Sequence, residues 1–320
     1  MRDEYEIAVA GGGLAGLTAA LTAARLGRSV LVLTGAIPGG LLLTIERIEG
    51  LPGFPDGVAG YELCPSLQMQ AEAAGAEPVG EELERLEPAD GGWTLATGAG
   101  DTRARAVVIA TGAGFRRLGV PGEERLQGHG ISTCASCDGP LLGGKTVAVV
   151  GGGDSALQEA LTLAESAGRV VILHRGDDLD GQASFRTRIA EQSAIDVRFR
   201  TVVEEIVGEE SVRALRVRDL AGGGSEELEV AAVFPFVGLR PWSDRFARHV
   251  ALDAGGAVRT DVALRTAAPG VFAAGIVRSS AAGRAAAAAG EGAAAALAAD
   301  AYLRDGAWPA APAAAPALVS

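Results

Sequence analysis

Two cysteines three positions apart, in Thr133-Cys134-Ala135-Ser136-Cys137-Asp138-Gly139, are the residues in this chain best suited to covalent chemistry. A CxxC pair can close a small disulfide ring and reopen it, because each thiol holds the other at attacking distance and lowers its pKa. Zinc binding is the competing use of CxxC. It needs two further ligands, and Cys64, His129, His174 and His249 are not paired at ligand spacing, so no metal is expected. Almost at once the chain runs through a strand-like segment, Thr146 to Val150, into Gly151-Gly152-Gly153-Asp154-Ser155-Ala156. A first turn of the same kind, Gly11-Gly12-Gly13-Leu14-Ala15-Gly16, follows the apolar run Glu6 to Ala10. Glycines between a hydrophobic strand and an amphipathic helix let a pyrophosphate approach backbone N–H groups at a helix N-terminus. Two dinucleotide turns with a dithiol between them point to electrons passed between a bound cofactor and a disulfide.

The elements that must hold these residues follow from periodicity. Strand 5–10, helix 14–26 and strand 29–33 make a first βα unit. A long glycine- and proline-rich stretch, 34–60, is expected to be a functional loop rather than a passive connection. A helix near 61–74, a polar β-meander through Trp93 and an apolar strand over 106–113 return the chain to the first sheet. Leu118 to Glu123 is punctuated like a linker. A second βαβ unit spans about 146–174, and the strand 230–237 closes on Gly238-Leu239-Arg240-Pro241, a second crossover. A buried strand, 271–275, then feeds an alanine-rich helix from Arg284 to Leu303, in which Gly290 and Gly292 allow close packing. The fold expected is α/β: two doubly wound Rossmann-like dinucleotide-binding domains, the second inserted into the first. Their bounds are 1–116, 117–241 and 242–306, with 307–320 a mobile tail.

Composition sets the outer limits. At 320 residues the chain exceeds one ordinary core and fits about two domains. A formal net charge of −12 argues against nucleic acid, whose phosphates need a basic face. No apolar run reaches transmembrane length, and Met1-Arg2-Asp3-Glu4 opens directly into a strand, so a cytoplasmic protein free of the membrane is expected. Three cysteines are too few for a secreted disulfide framework, which favours a catalytic CxxC over a structural one. Gly139-Pro140-Leu141-Leu142-Gly143-Gly144-Lys145-Thr146 matches the phosphate-binding P-loop letter for letter. A P-loop must leave a strand and enter a helix, whereas Lys145-Thr146 enters a strand, so the match reads as accidental.

The chain resembles the low-molecular-weight thioredoxin reductase family over residues 5 to about 304. The resemblance rests on both glycine turns, Leu33-Thr34-Gly35, Pro38-Gly39-Gly40, Leu51-Pro52-Gly53-Phe54-Pro55, Ala110-Thr111-Gly112-Ala113, the CxxC followed by Asp138, His174-Arg175 and Gly270 to Gly275. The CxxC is its most specific element, since it sits in the inserted domain. The resemblance implies FAD held at Gly11, Gly13, Leu14, Ala15 and Gly16, at Thr34 and Gly35, and along the loop at Gly39, Gly40, Leu41 and Gly50. It adds Ala110, Thr111 and Gly112, then Gly275 and Ile276, then Gly283, Arg284 and Ala285. A nicotinamide dinucleotide would lie at Gly151, Gly153, Ser155 and Ala156, with Arg175 beyond. The resemblance further implies that Cys137 faces the flavin, that Cys134 attacks a disulfide of the partner and that Asp138 handles the proton. A simpler role for Asp138 is a helix-capping or turn residue. Cys64 reads as a buried core thiol.

Four departures from the family pattern bear on the electron source. His174-Arg175 is followed by Gly176, Asp177, Asp178 and Asp180 where the family places arginines for a 2′-phosphate. Three carboxylates repel that dianion, unless Arg186 or Arg188 swings in. Ile276 stands where the family has an aspartate, Gly283-Arg284-Ala285 replaces Arg-Gln-Ala, and Leu41 replaces a glutamine. Use of NADP(H) or NAD(H) is therefore left open. The leading reading is a homodimeric FAD enzyme that reduces a thioredoxin-like protein or a small disulfide. The alternative is a flavin dithiol oxidase, or a reductase fed by ferredoxin or another flavoprotein. A non-catalytic nucleotide sensor is a third reading, against which the intact Cys-x-x-Cys-Asp argues.

Overall fold

The computed structural model describes residues 1–308. They form two compact units: one made of Met1–Gly114 together with the chain from Arg240 onward, the other of Phe115–Leu239. The divisions fall two residues upstream of each expected boundary. In the first unit, β1 (Glu4–Ala10), α1 (Leu14–Arg25) and β2 (Val30–Leu33) are followed by α2 (Gly60–Ala73) and β3 (Ala76–Val79). A meander of β4 (Arg85–Ala89), β5 (Gly92–Thr97) and β6 (Gly100–Ile109) comes next, and β7 (Ala113–Phe115) leads out. The second unit opens with the short helix α3 (Ala135–Asp138). It continues through β8 (Thr146–Val150), α4 (Asp154–Leu163), β9 (Arg169–Leu173), α5 (Ala183–Glu191) and β10 (Ile195–Arg198). Then come β11 (Thr201–Gly208), β12 (Val212–Asp219), β13 (Ser225–Glu229) and β14 (Ala232–Pro235). After β15 (Leu239–Pro241) the first unit is completed by β16 (Val271–Ala273) and α6 (Ala285–Asp305).

The first unit is built on a seven-stranded sheet ordered β3-β2-β1-β6-β5-β4, with β16 also paired to β6. β1 lies parallel to β2 (Ile7↔Val30) and to β6 (Ile7↔Ala106). One outer side of β6 is shared: its first half pairs antiparallel with β5 (Trp93↔Ala104), its second half parallel with β16 (Val271↔Val107). Both faces of the central strands are buried, which is why they read as continuous apolar runs. Ile7, Val9, Val108 and Phe272 face α1 and α6, while Ala8, Ala10, Val107 and Ile109 face Phe246, Val250 and Val258. α6 approaches α1 closely: a Cβ on Gly292 would lie 2.1 Å from the Ala15 carbonyl oxygen. Gly290 makes no such approach, its Cβ position being open, so only one of the two glycines expected to matter does.

The second unit carries a four-stranded parallel sheet, β10-β9-β8-β14. Val147, Val149, Val170 and Ile172 pack against α4 and α5 on one face; Ala148, Val150, Val171 and Leu173 meet Ile206, Leu215 and Val217 on the other. The parallel strands of the two sheets, with helices packed on them, bear out the α/β class.

Several elements escape the sequence pattern. α5 buries only Phe185 and Ile189. The antiparallel sheet β11-β12-β13 breaks register between Val203 and Glu205 and between Val207 and Gly208, which destroys the two-residue alternation. The apolar run 106–113 is not one strand, because β6 ends at Ile109 and residues 110–112 turn away. The expected mobile tail begins too early: Trp308 packs edge-on to Phe272 (5.2 Å between ring centroids) and Tyr302 (5.3 Å). Apolar area explains the correction, since an indole against two rings gains more than a loose end keeps in entropy. Residues 309–320 of that expectation lie outside the described residues.

Candidate functional site

The first glycine turn is shaped by what a side chain would strike. Gly11 has φ +123°, and a Cβ there would lie 2.2 Å from the Ala110 carbonyl oxygen. On Gly16 a Cβ would lie 1.9 Å from the Gly11 oxygen, which seats α1 directly on the turn. Gly13, by contrast, has nothing within 4 Å. It precedes a helix with neither a side-chain cap nor an acidic residue in its first turn. The first N–H groups of α1 thus stay available beside an open cradle, as an anion requires. Leu14 and Ala15 are buried and can offer only backbone. These residues fit a dinucleotide pyrophosphate.

Several of the other expected flavin-site residues gather around this turn. The Gly39 N–H donates to Gly12 O (2.8 Å), and Gly40 would meet the Gly13 Cα at 3.4 Å if it carried a Cβ. Leu41 lies in a 3-10 turn, Gly40–Thr44, anchored on α2 because Gly60 leaves room for the Leu42 carbonyl. Thr34 and Gly35 are tied to Val79 and Glu81 through their N–H groups (both 3.0 Å). The Thr111 hydroxyl donates to Trp242 O (2.8 Å), and Ile276 stands near both Gly112 and Gly283. Gly275 packs on Ala15, so the end of β16 joins the start of α1. Gly50 is exposed in the loop and has no near neighbour. Arg284 is the exposed residue preceding α6, and Ala285 begins the helix.

One part of this site was not anticipated. The Glu291 carboxylate accepts the Gly275 N–H (2.8 Å) and pairs with Arg278 at 2.5 Å, both side chains being largely buried. It fixes the turn after β16, where Ile276 has no polar atom to do so. The Glu–Gly spacing of Glu291-Gly292 in an alanine-rich helix was the only signal available.

The second glycine turn repeats the design. Gly151 has φ +141° and approaches Phe236 O, while Gly153 is again open. Gly152 lies on the buried His174 ring, where a Cβ would come within 2.4 Å of Nδ1. Ala156 is buried beneath the turn and Ser155 is exposed. Asp154 opens α4, its carboxylate accepting the Gln182 N–H (2.7 Å). Beyond β9, Arg175 is exposed. Two of the three aspartates after it pair with guanidiniums, Asp177 with Arg200 (3.3 Å) and Asp178 with Arg186 (3.1 Å), while Asp180 lies 3.8 Å from the His174 Nε2. Arg186 is thus held by a carboxylate, and Arg188 lies over the Phe185 ring (5.8 Å). Arg200, not singled out in the sequence, joins the cluster because β10 delivers it. The turn fits a pyrophosphate, whereas the group beyond it does not fit a 2′-phosphate.

The cysteines form a disulfide at the start of α3, with Cα atoms 5.3 Å apart. Cys134 precedes the helix, and its Sγ accepts the Cys137 N–H (3.3 Å). The Ser132 hydroxyl accepts the Cys134 N–H (3.1 Å), and the Asp138 N–H reaches the Cys134 carbonyl (3.2 Å). Cys137 is exposed, whereas Cys134 and Asp138 are half-buried. The Ala135 N–H, between the cysteines, donates to a buried carboxylate, Glu159 of α4 (2.9 Å). Lys145 runs from its turn straight into β8, so the P-loop-like run leads to a strand and cradles nothing. Cys64 is buried with its thiol on Gly39 O (3.5 Å), and burial pushes its pKa up to about 11.

Residues 5–292 match the model of the pyridine nucleotide-disulphide oxidoreductase family. This chain belongs to that family. The thioredoxin reductase of Treponema pallidum is 36% identical over 303 residues, covering 95% of this chain and 98% of the relative. That of Streptomyces coelicolor is 36% identical over 306 residues, covering 95% of each. Among solved structures, Lactococcus lactis thioredoxin reductase superposes with a TM-score of 0.91 at 32% identity, covering 94% of this chain and 99% of that one. The T. acidophilum thioredoxin reductase gives 0.90 at 32%, covering 95% and 99%. The resemblance read from the motifs is borne out. This chain carries two glycine turns and a closed cysteine pair.

Proposed function

We propose that the chain is a FAD-dependent disulfide reductase that passes electrons through Cys134 and Cys137 to a thioredoxin-like protein. The carrying observation is the closed Cys134–Cys137 disulfide with Asp138 beside it, in a chain aligned almost end to end with proteins named thioredoxin reductase. FAD, when bound, supplies a two-electron store. Gly13 and the first N–H groups of α1 would hold its pyrophosphate, and Thr111, Ile276 and Arg284 would serve its flavin end. The first unit is then the FAD-binding domain and the second the nicotinamide-type domain. Two electrons and two protons open the Cys134–Cys137 bond to two thiols. Asp138 supplies a proton to the departing sulfur. Cys134 then gives up its proton and attacks one sulfur of the partner's disulfide, whose departing sulfur takes up a proton. Cys137 in turn gives up its proton and attacks the Cys134 sulfur of the mixed disulfide, which restores the ring and releases the partner's second sulfur to take a proton as a thiol.

The names of the relatives weigh for reduction and against the dithiol-oxidase alternative. The electron source is a separate matter. The Asp177, Asp178 and Asp180 pairings favour a nicotinamide lacking the 2′-phosphate, or another donor, over NADPH. The same reading includes a homodimer in the cytoplasm, acting on no nucleic acid. Among the described residues no helix is long and apolar enough to cross a membrane.

Anaerobic titration of the purified protein with NADPH, NADH and dithiothreitol, followed by flavin bleaching, tests this reading. Bleaching by dithiothreitol through the cysteine pair is expected, with NADPH a slow donor. Protein that stays colourless after FAD reconstitution would overturn it.

A further inference from the structure

Glu159 is a carboxylic acid in an apolar place. It is 7% exposed and lies on the face of α4 that carries Ala156, Leu157, Ala160 and Leu163 into the core. Its one hydrogen bond among the described residues is the 2.9 Å contact with the Ala135 N–H, and it makes no ion pair. A buried carboxyl without a cation is costly and is kept in proteins where it does something. The partner it has chosen is the N–H between the two cysteines.

We propose that Glu159 is a positioning residue for the dithiol: it fixes the Cys134–Ala135 turn through the Ala135 N–H and ties the redox behaviour of the pair to pH. The inference rests on the reading of Cys134–Cys137 as a redox pair and adds a residue to it. Charged side chains on the elements packed against α4 are few. Asp138 stands on α3, Arg186, Arg188 and Glu191 on α5, and Arg169 at the start of β9; Asp154 begins α4 itself. None of them moves the Glu159 carboxyl. Burial raises it, the Ala135 N–H lowers it, and the balance is about 7. Its charge therefore changes within the range in which thiols begin to ionise.

The direction of the effect follows from Coulomb repulsion. When the pair is reduced, an ionised Glu159 one residue away disfavours a thiolate on Cys134, and a neutral Glu159 does not. Reduction of the disulfide consumes two electrons and two protons; the thiols keep those protons to higher pH when Glu159 carries its charge. The Ala135 N–H accommodates either state, because a protonated carboxyl still offers its carbonyl oxygen.

The test is Glu159→Gln, which keeps an acceptor for Ala135 and removes the charge. In the reduced holoenzyme, Cys134 should react with iodoacetamide about threefold faster at pH 8 in the variant. The logarithm of the Cys134 alkylation rate against pH should show a break near 7 in the native protein, where Glu159 ionises, that the variant lacks. Flavin binding should not change. Identical alkylation rates and pH profiles of alkylation in the two proteins would overturn the inference while leaving the redox role of the cysteines intact. A pair that never cycles in either protein would overturn the functional reading and this inference with it. Should Glu159→Gln not fold, the native profile decides: an alkylation rate that follows a single thiol ionisation without a break between pH 6 and 8 removes Glu159 from the redox chemistry, and a break there supports it.

Discussion

Cys134 and Cys137 differ in exposure, and the difference matters for how each can be tested. Cys137 is the exposed member and Cys134 is half-buried behind the Ser132 hydroxyl. Replacing either with serine should abolish disulfide reduction, a loss of at least about 10³-fold, because neither half of the exchange can be completed alone. FAD binding should be unaffected, since the cradle lies elsewhere in the chain. Steady-state turnover and flavin absorbance check both parts; a serine variant with full turnover would make the disulfide structural. Arg284 poses a different question. It precedes α6, where its charge adds to the positive end of the helix. If its guanidinium reaches the pyrimidine edge of FAD, Arg284→Gln should lower the flavin midpoint potential by about 20 mV, the two-electron equivalent of about 1 kcal/mol. An unchanged potential would take Arg284 out of the chemistry.

The second βαβ unit is where the chain departs from its family, and the departure is a property of elements. The loop after β9 carries the aspartates, α5 brings Arg186, and the end of β10 leads to Arg200. Each guanidinium is paired by a carboxylate of the β9 loop, so a 2′-phosphate would have to compete for cations already neutralised. These pairs are exposed and worth little to stability, about 0–1 kcal/mol each. Removing the carboxylates should therefore leave the fold unharmed. The double variant Asp177→Asn, Asp178→Asn should improve kcat/KM for NADPH about tenfold or more relative to NADH, because it frees two arginines and removes two repelling charges. Steady-state kinetics with both nicotinamides measures the ratio, and no change would place the 2′-phosphate away from the β9 loop.

Glu159 also bears on the stability of the whole chain. Burial holds its carboxyl at about 7, above the ordinary 4.5. Below about pH 4.5 the carboxyl is protonated in both folded and unfolded chains and contributes no difference. Between 4.5 and 7 the unfolded chain gives up the proton while the folded one keeps it, so stability falls as pH rises through that window. The loss amounts to about 3 kcal/mol and stays constant at higher pH. Glu159→Gln lacks this dependence. Its stability relative to the native protein should therefore rise between pH 4.5 and 8, measured by denaturant unfolding of the holoenzyme at both values. A native protein whose stability relative to the variant does not fall over this range would contradict the burial argument. The residue then costs stability where it is placed to serve the cysteines, a pattern common at active sites.

What could be read from the amino-acid sequence was local. Both glycine turns, the CxxC, the apolar strands before each turn and the alanine-rich last helix are patterns of neighbouring residues, and periodicity carries them intact. So are the departures at Asp177, Asp178, Asp180 and Ile276. Elements with weak or broken periodicity were lost: α5, with two buried apolar residues, and the bulged sheet β11-β12-β13. Tertiary structure alone decided the polar partners. The Ala135 N–H meets Glu159 across 24 positions, Gly275 meets Glu291 across 16, and Asp177 meets Arg200 because two parallel strands end side by side. Such pairs leave no periodic trace, since a single hydrogen bond or ion pair constrains two residues and nothing between them. They exist only once sheets and helices have packed to bring those atoms within 3 Å or so. The chemistry was therefore visible in the chain, and its tuning was not.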